Sequence, residues 1–114
     1  MRVVIDTNVL VSGLLGLYTY SARIIDLIYI NRLYCVYDDR IMAEYNAVLA
    51  RPKFKQAISA KERKDLLEYI ARTGLHVLAA PLENFSLSAP DADDLPFMEA
   101  AVAGRAEAII TGNH

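Results

Sequence analysis

The sequence predicts an α/β domain: a parallel sheet carrying helices on both faces. Three observations point to it. Val3-Val4-Ile5 and Ala108-Ile109-Ile110 are short apolar runs without polar alternation, the pattern of strands buried on both faces. Between the strand-like runs lie segments whose apolar residues recur at helical spacing. Strands and helices therefore alternate along the chain, which is the order a parallel sheet requires. At 114 residues, with 54% hydrophobic types and no linker or repeat, the chain reads as a single domain over 1–114 with one core.

The elements follow in order. The first strand, Val3 to Ile5, ends at Asp6. Thr7 or Asn8 is placed to cap a short helix running to Leu15, with Gly13 and Gly16 limiting its length. Ser21 is placed to cap a second helix to about Asn31, with Ile24, Leu27, Ile28 and Asn31 on one face and Ile25 widening the stripe. Leu33 to Tyr37 is the second strand. Asp38 or Asp39 caps a helix from Arg40 to about Ala50, which Pro52 prevents from continuing. Ser59 and Glu62 form a capping box for the next helix, whose apolar side is Leu66, Leu67, Ile70 and Ala71. Gly74 is expected to stop it in the left-handed conformation. A third strand is expected over His76 to Ala80, then a connector from Pro81 to Pro90. Asp93 or Asp94 opens the last helix, with Pro96 in its first turn, Phe97, Met98, Ala101 and Val102 as its apolar side and Gly104 at its end. Ala108 to Ile110 is the fourth strand.

Composition excludes several classes of function. One Cys excludes a disulfide framework and a multi-Cys zinc site, and fits a reducing compartment. A net charge of −2 excludes a protein that coats nucleic acid through charge alone. The uncharged run from Thr7 to Ala22 contains Asn8, Ser12, Gly13, Gly16, Thr19 and Ser21. It is too short and too polar for a spanning helix, which needs about 20 mostly apolar residues. Arg2 followed by three apolar residues and Asp6 does not make a signal peptide.

The chemistry lies in the carboxylates. Asp6 stands at the carboxyl end of the first strand, where open α/β sheets bind ligands; it also suits a turn or a helix cap. Glu44 falls within the apolar stripe Ile41, Tyr45, Val48, so its carboxylate requires a proton, a metal ion or a partner such as an arginine. Asp91, Asp93 and Asp94 crowd the start of the last helix, and Asp94 shares the side of Phe97, Met98 and Ala101. Acids there also complement the helix dipole. Asn113 ends the fourth strand as Asp6 ends the first, and Thr7, Asn8 and Thr111 add short polar groups at the same strand ends. If these ends meet, Asp6, Glu44 and Asp94 form a cluster of oxygen donors. Such donors, without His or Cys, select Mg²⁺ or Mn²⁺. Two such ions would suit phosphoryl chemistry.

These residues resemble a PIN domain. The resemblance is carried by Val4-Ile5-Asp6-Thr7-Asn8-Val9-Leu10, by Glu44, by Asp91-Ala92-Asp93-Asp94-Leu95-Pro96-Phe97-Met98 and by Ile109-Ile110-Thr111-Gly112-Asn113, and it spans the chain. The most similar subgroup is the toxin components of toxin–antitoxin pairs, akin to VapC. The resemblance implies a Mg²⁺- or Mn²⁺-dependent endoribonuclease in the cytoplasm, with an antitoxin protein as partner and a homodimeric state. It implies a three-layer α/β/α fold with a central parallel sheet in order 3-2-1-4-5; the sequence stops at His114, ahead of the usual last strand, so it reads either as a fragment or as a sheet in order 3-2-1-4 without that edge strand. It places Asp6, Glu44 and Asp94 in the catalytic metal site, with Asp91 beside them. Asn113 stands where many members have a further Asp, which lowers the charge available to a second ion.

Other residues have competing readings. Between positions 51 and 64, Arg51, Lys53, Lys55, Lys61, Arg63 and Lys64 face only Glu62 as an acid. Arg51, Lys53 and Lys55 are candidates to contact RNA phosphates, or simply a solvated surface. Tyr29, Tyr34, Tyr37 and Tyr45 fall on stripes and strands and read as core packing, Cys35 as a small buried apolar residue. His76 and His114 lack metal-ligand partners at useful spacing. A haloacid-dehalogenase-like phosphatase also begins with Asp after a strand, but needs a second acid two residues on, where this chain has Asn8. The remaining rival is a catalytically degenerate PIN fold that binds RNA or protein.

Overall fold

The structure, a computed structural model, describes residues 1–80 and 94–112. Strand β1 (Arg2–Ile5) pairs in parallel with β2 (Tyr34–Tyr37) on one side and with β4 (Ala108–Ile110) on the other. β3 (Leu75–His76) joins the outer side of β2, so the sheet order is β3-β2-β1-β4. Val3, Val4 and Ile5 are fully buried, as a central parallel strand between helical layers demands.

Five helices flank this sheet among the described residues, in the three-layer α/β/α arrangement: α1 (Thr7–Leu15), α2 (Thr19–Tyr29), α3 (Asp39–Leu49), α4 (Ala60–Thr73) and α5 (Leu95–Ala103). Local chemistry starts several of them. The Asp38 carboxylate accepts from the Ile41 amide at 2.9 Å and caps α3. Ser59 and Glu62 complete both bonds of the capping box at α4. A single 3-10 turn (Pro52–Phe54) follows α3, where proline ends the helix. The core joins β1 and β2 to Leu10, Ile28, Ile41, Tyr45, Leu49, Leu66 and Ile70, all essentially inaccessible to solvent.

Six expectations need correction. The cap of α1 is Asp6, whose carboxylate accepts from the Asn8 amide, because Thr7 is already helical and its hydroxyl is turned elsewhere. α2 starts at Thr19, before Ser21; the buried Ser21 hydroxyl donates to the Tyr18 carbonyl instead of capping. Gly74 is extended (φ −81°, ψ −174°), not left-handed. A Cβ there would lie 2.4 Å from the Cys35 carbonyl oxygen, so glycine is required by the close passage of the chain over β2. β3 spans only Leu75–His76, although the Val77 amide still donates to Tyr37. On α5 the buried residues are Phe97, Glu99 and Ala100, while Val102 is 62% exposed. β4 is an edge of the described sheet and leaves Ile109 exposed, so it is not buried on both faces.

Candidate active site

The carboxyl ends of β1 and β4 lie side by side. The Asp6 amide donates to the Ile110 carbonyl at 2.9 Å, which brings Asp6 next to the segment leading into Thr111. α5 packs on β1 and β2 and presents Asp94 at its first turn. Asp6 and Asp94, far apart in sequence, consequently line one cleft of about 260 Å³. Phe97, Met98, Ile109 and Thr111 complete its lining, so the two acids stand against a mostly apolar surface.

Glu44 reaches the same end of the sheet from α3. It is half-buried, and its carboxylate accepts a hydrogen bond from the Thr7 hydroxyl. Thr7 is buried and follows Asp6 directly, so this bond binds Glu44 to the segment that carries Asp6. Glu44 forms no ion pair among the described residues; the arginine partner that would have made it structural is not present there. Asn8 and Thr111 are exposed at the two strand ends. Asp91, Asp93 and Asn113 lie outside the described residues. Among those described, no three His, Cys, Asp or Glu residues stand close enough together to hold an ion. The donor set of Asp6, Asp94 and Glu44, all carboxylate oxygen, nevertheless fits a hard divalent ion.

Arg51, Lys53 and Lys55 are exposed beyond the end of α3, with the Lys53 ammonium 5.1 Å from the centre of the Phe54 ring. On α4, Lys61 and Lys64 lie beside Asp65 and Glu68 at 2.8 and 3.9 Å, so acidic neighbours accompany these two lysines of the basic segment.

Two features beside the acids were not recognised as parts of the site from sequence. Tyr45 is fully buried, and its hydroxyl donates to the Ile5 carbonyl at 2.5 Å. Burial pushes its phenol well above the usual tyrosine range, and Cys35, Asp6 and Glu44 push it the same way, so it remains a donor. Its position in an apolar stripe was visible, whereas the partner for its polar tip was not. Arg40 bridges two buried acids, with Nη1 2.8 Å from Glu99 and Nη2 2.6 Å from Asp38. These hydrogen bonds raise the guanidinium pKa still further. The signal was Glu99, a lone acid between Met98 and Ala100.

The 3-2-1-4 parallel sheet agrees with the family comparison: residues 2–114 match the model described as a PIN domain. The chain belongs to the PIN-domain family. PIN domains are generally nucleases and typically employ divalent metal ions. This PIN domain is also 30% identical over 113 residues to the uncharacterized protein MJ1680 of Methanocaldococcus jannaschii, covering 99% of this chain and 71% of that protein. No solved structure matches it significantly. Among the described residues, no helix of the PIN domain is long and apolar enough to cross a membrane.

Proposed function

We propose that this PIN domain is a Mg²⁺- or Mn²⁺-dependent endoribonuclease, the toxin of a toxin–antitoxin pair acting in the cytoplasm. The observation that carries the reading is the convergence of Asp6 and Asp94 in one cleft, with Glu44 tied through Thr7 to the residue after Asp6. Asp6, Glu44 and Asp94 would hold the ion, with Asp91 and Asn113 as further ligands. When bound, such an ion polarises a phosphodiester and lowers the pKa of water.

The chain's own residues do the rest. Thr7 holds the Glu44 carboxylate in one orientation by donating its hydroxyl proton. Asn8 and Thr111, exposed at the strand ends, orient substrate and the attacking water. Arg51, Lys53 and Lys55 neutralise RNA phosphates away from the cut. The expected products carry 5′-phosphate and 3′-hydroxyl ends. A homodimer and an antitoxin protein complete the assembly in this reading.

Asn113 favours a second reading, a degenerate PIN domain that binds RNA or protein without cutting, since a neutral amide replaces a charge. Incubation with single-stranded RNA and Mn²⁺ separates the two. Cleavage that EDTA and Asp6→Asn both abolish supports the nuclease. Intact RNA at saturating Mn²⁺ supports the binding module.

A further inference from the structure

Residues 5, 6 and 7 are held by three different bonds, two of them to α3, the helix that carries Glu44, and one to the end of β4. The Ile5 carbonyl accepts from Tyr45 on α3, the Asp6 amide donates to Ile110 at the end of β4, and Thr7 donates to Glu44 on α3. Tyr45 stands next to Glu44 in sequence, and its bond to Ile5 crosses from the helix bearing one carboxylate to the strand bearing the other. The phenol is fully buried, and its ring lies 6.4 Å from that of Phe97 on α5, the helix that starts at Asp94.

We propose that Tyr45 is a positioning residue for the metal site, fixing the spacing between Asp6 and Glu44 through the Ile5 carbonyl. The inference rests on the metal-dependent reading above. An ion needs its ligands held at distances matched to the metal, and residues that orient ligands without touching the ion tune affinity. A helix packed against a strand only by apolar contacts can slide slightly at little cost. A buried, well-directed hydrogen bond opposes that sliding, because a displaced Ile5 carbonyl and Tyr45 hydroxyl would both be left unpaired away from water. Tyr45 also contacts Phe97, so the same side chain touches elements leading to all three acids.

The test compares Tyr45→Phe with Leu66→Ala, a core change on α4 that leaves the bond intact. Mn²⁺ affinity is measured by calorimetry, and thermal melting is followed in EDTA. Tyr45→Phe should weaken Mn²⁺ binding about tenfold or more. Leu66→Ala should lower the melting temperature at least as much and leave the affinity of the folded protein unchanged. Equal Mn²⁺ affinity in Tyr45→Phe and the parent would overturn the proposal and leave the metal site standing. Equal weakening by Leu66→Ala would overturn it too, by making the effect one of general stability. Absence of Mn²⁺ uptake by the parent protein would instead overturn the metal-dependent reading itself, and the proposal with it. Should Tyr45→Phe be unfolded in dilute buffer, the same titrations in trimethylamine N-oxide restore the comparison, since that osmolyte favours the compact state.

Discussion

At the scale of single residues, Glu44 and Cys35 show how burial can serve chemistry or suppress it. Glu44 sits half-buried with only a hydroxyl as its described hydrogen-bond partner, an arrangement suited to a carboxylate with a further electrostatic task. Glutamine keeps an acceptor for Thr7, so Glu44→Gln should preserve the fold and remove a charge from the metal site. Cleavage should fall by roughly a hundredfold or more, and the melting temperature in metal-free buffer should hold or rise. An unfolded variant whose residual folded fraction still took up metal would instead make Glu44 a structural acceptor. Cys35 is the opposite case: burial alone pushes its thiol up to about 12 from 9.0. It stays protonated and unreactive in the folded chain. Ellman's reagent at pH 8 should modify it only after guanidinium unfolding. Because the folded pKa is raised, the stability associated with this thiol is fully present below pH 9 and is lost as pH rises toward 12. Melting curves across that window should fall less steeply for Cys35→Ala.

At the scale of elements, α1 and α2 form a tight pair because Gly13 lets them approach. A Cβ at Gly13 would lie 2.6 Å from the Ile25 Cγ1 and 2.6 Å from the Ser21 carbonyl oxygen. The oxygen belongs to a helix backbone and cannot move without α2. Gly13→Ala should therefore destabilise the chain, overpacking of about 1–3 kcal/mol outweighing a gain of about 1 kcal/mol in helix propensity. Urea denaturation measures the net sign, and a stabilised variant would show that the helices part freely. The caps of α3 and α4 were legible in sequence because Asp38 and Ser59 act within three residues of their own helices. The start of α2 was not: Ser21 resembles a cap but is buried, and its hydroxyl turns back to Tyr18. β3 was overextended because an apolar run after Gly74 does not disclose how far β2 can pair with it. The candidate acids stood out as charges at a strand end, in an apolar stripe or at a helix start. Their supports, Thr7 to Glu44 and Tyr45 to Ile5, join residues 37 and 40 positions apart and depend on how α3 lies across β1. No local pattern encodes that.

At the scale of the whole molecule, the candidate site is a meeting of separate parts of the fold. β1 brings Asp6, α3 brings Glu44 and α5 brings Asp94, while Arg40 on α3 clasps Glu99 on α5 at 2.8 Å. A ligand held by all three acids would cross-link segments that meet only in the folded chain. In the unfolded chain those carboxylates are dispersed and bind a divalent ion weakly, so Mn²⁺ should shift the folding equilibrium by mass action. At a free concentration a hundred times the dissociation constant, the gain is about 2.7 kcal/mol. For a chain of this size that corresponds to a rise in melting temperature on the order of 10 °C. EDTA should reverse the rise, and Ca²⁺ should reproduce it less well if the site is matched to a smaller octahedral ion. Asp6→Asn should abolish most of it while the melting temperature in EDTA changes little, since asparagine can still accept from the Asn8 amide as the cap of α1. An equal Mn²⁺-induced rise in the parent and in Asp6→Asn would place the ion away from the cleft between β1 and α5. Cleavage would then have to be sought at another set of acids.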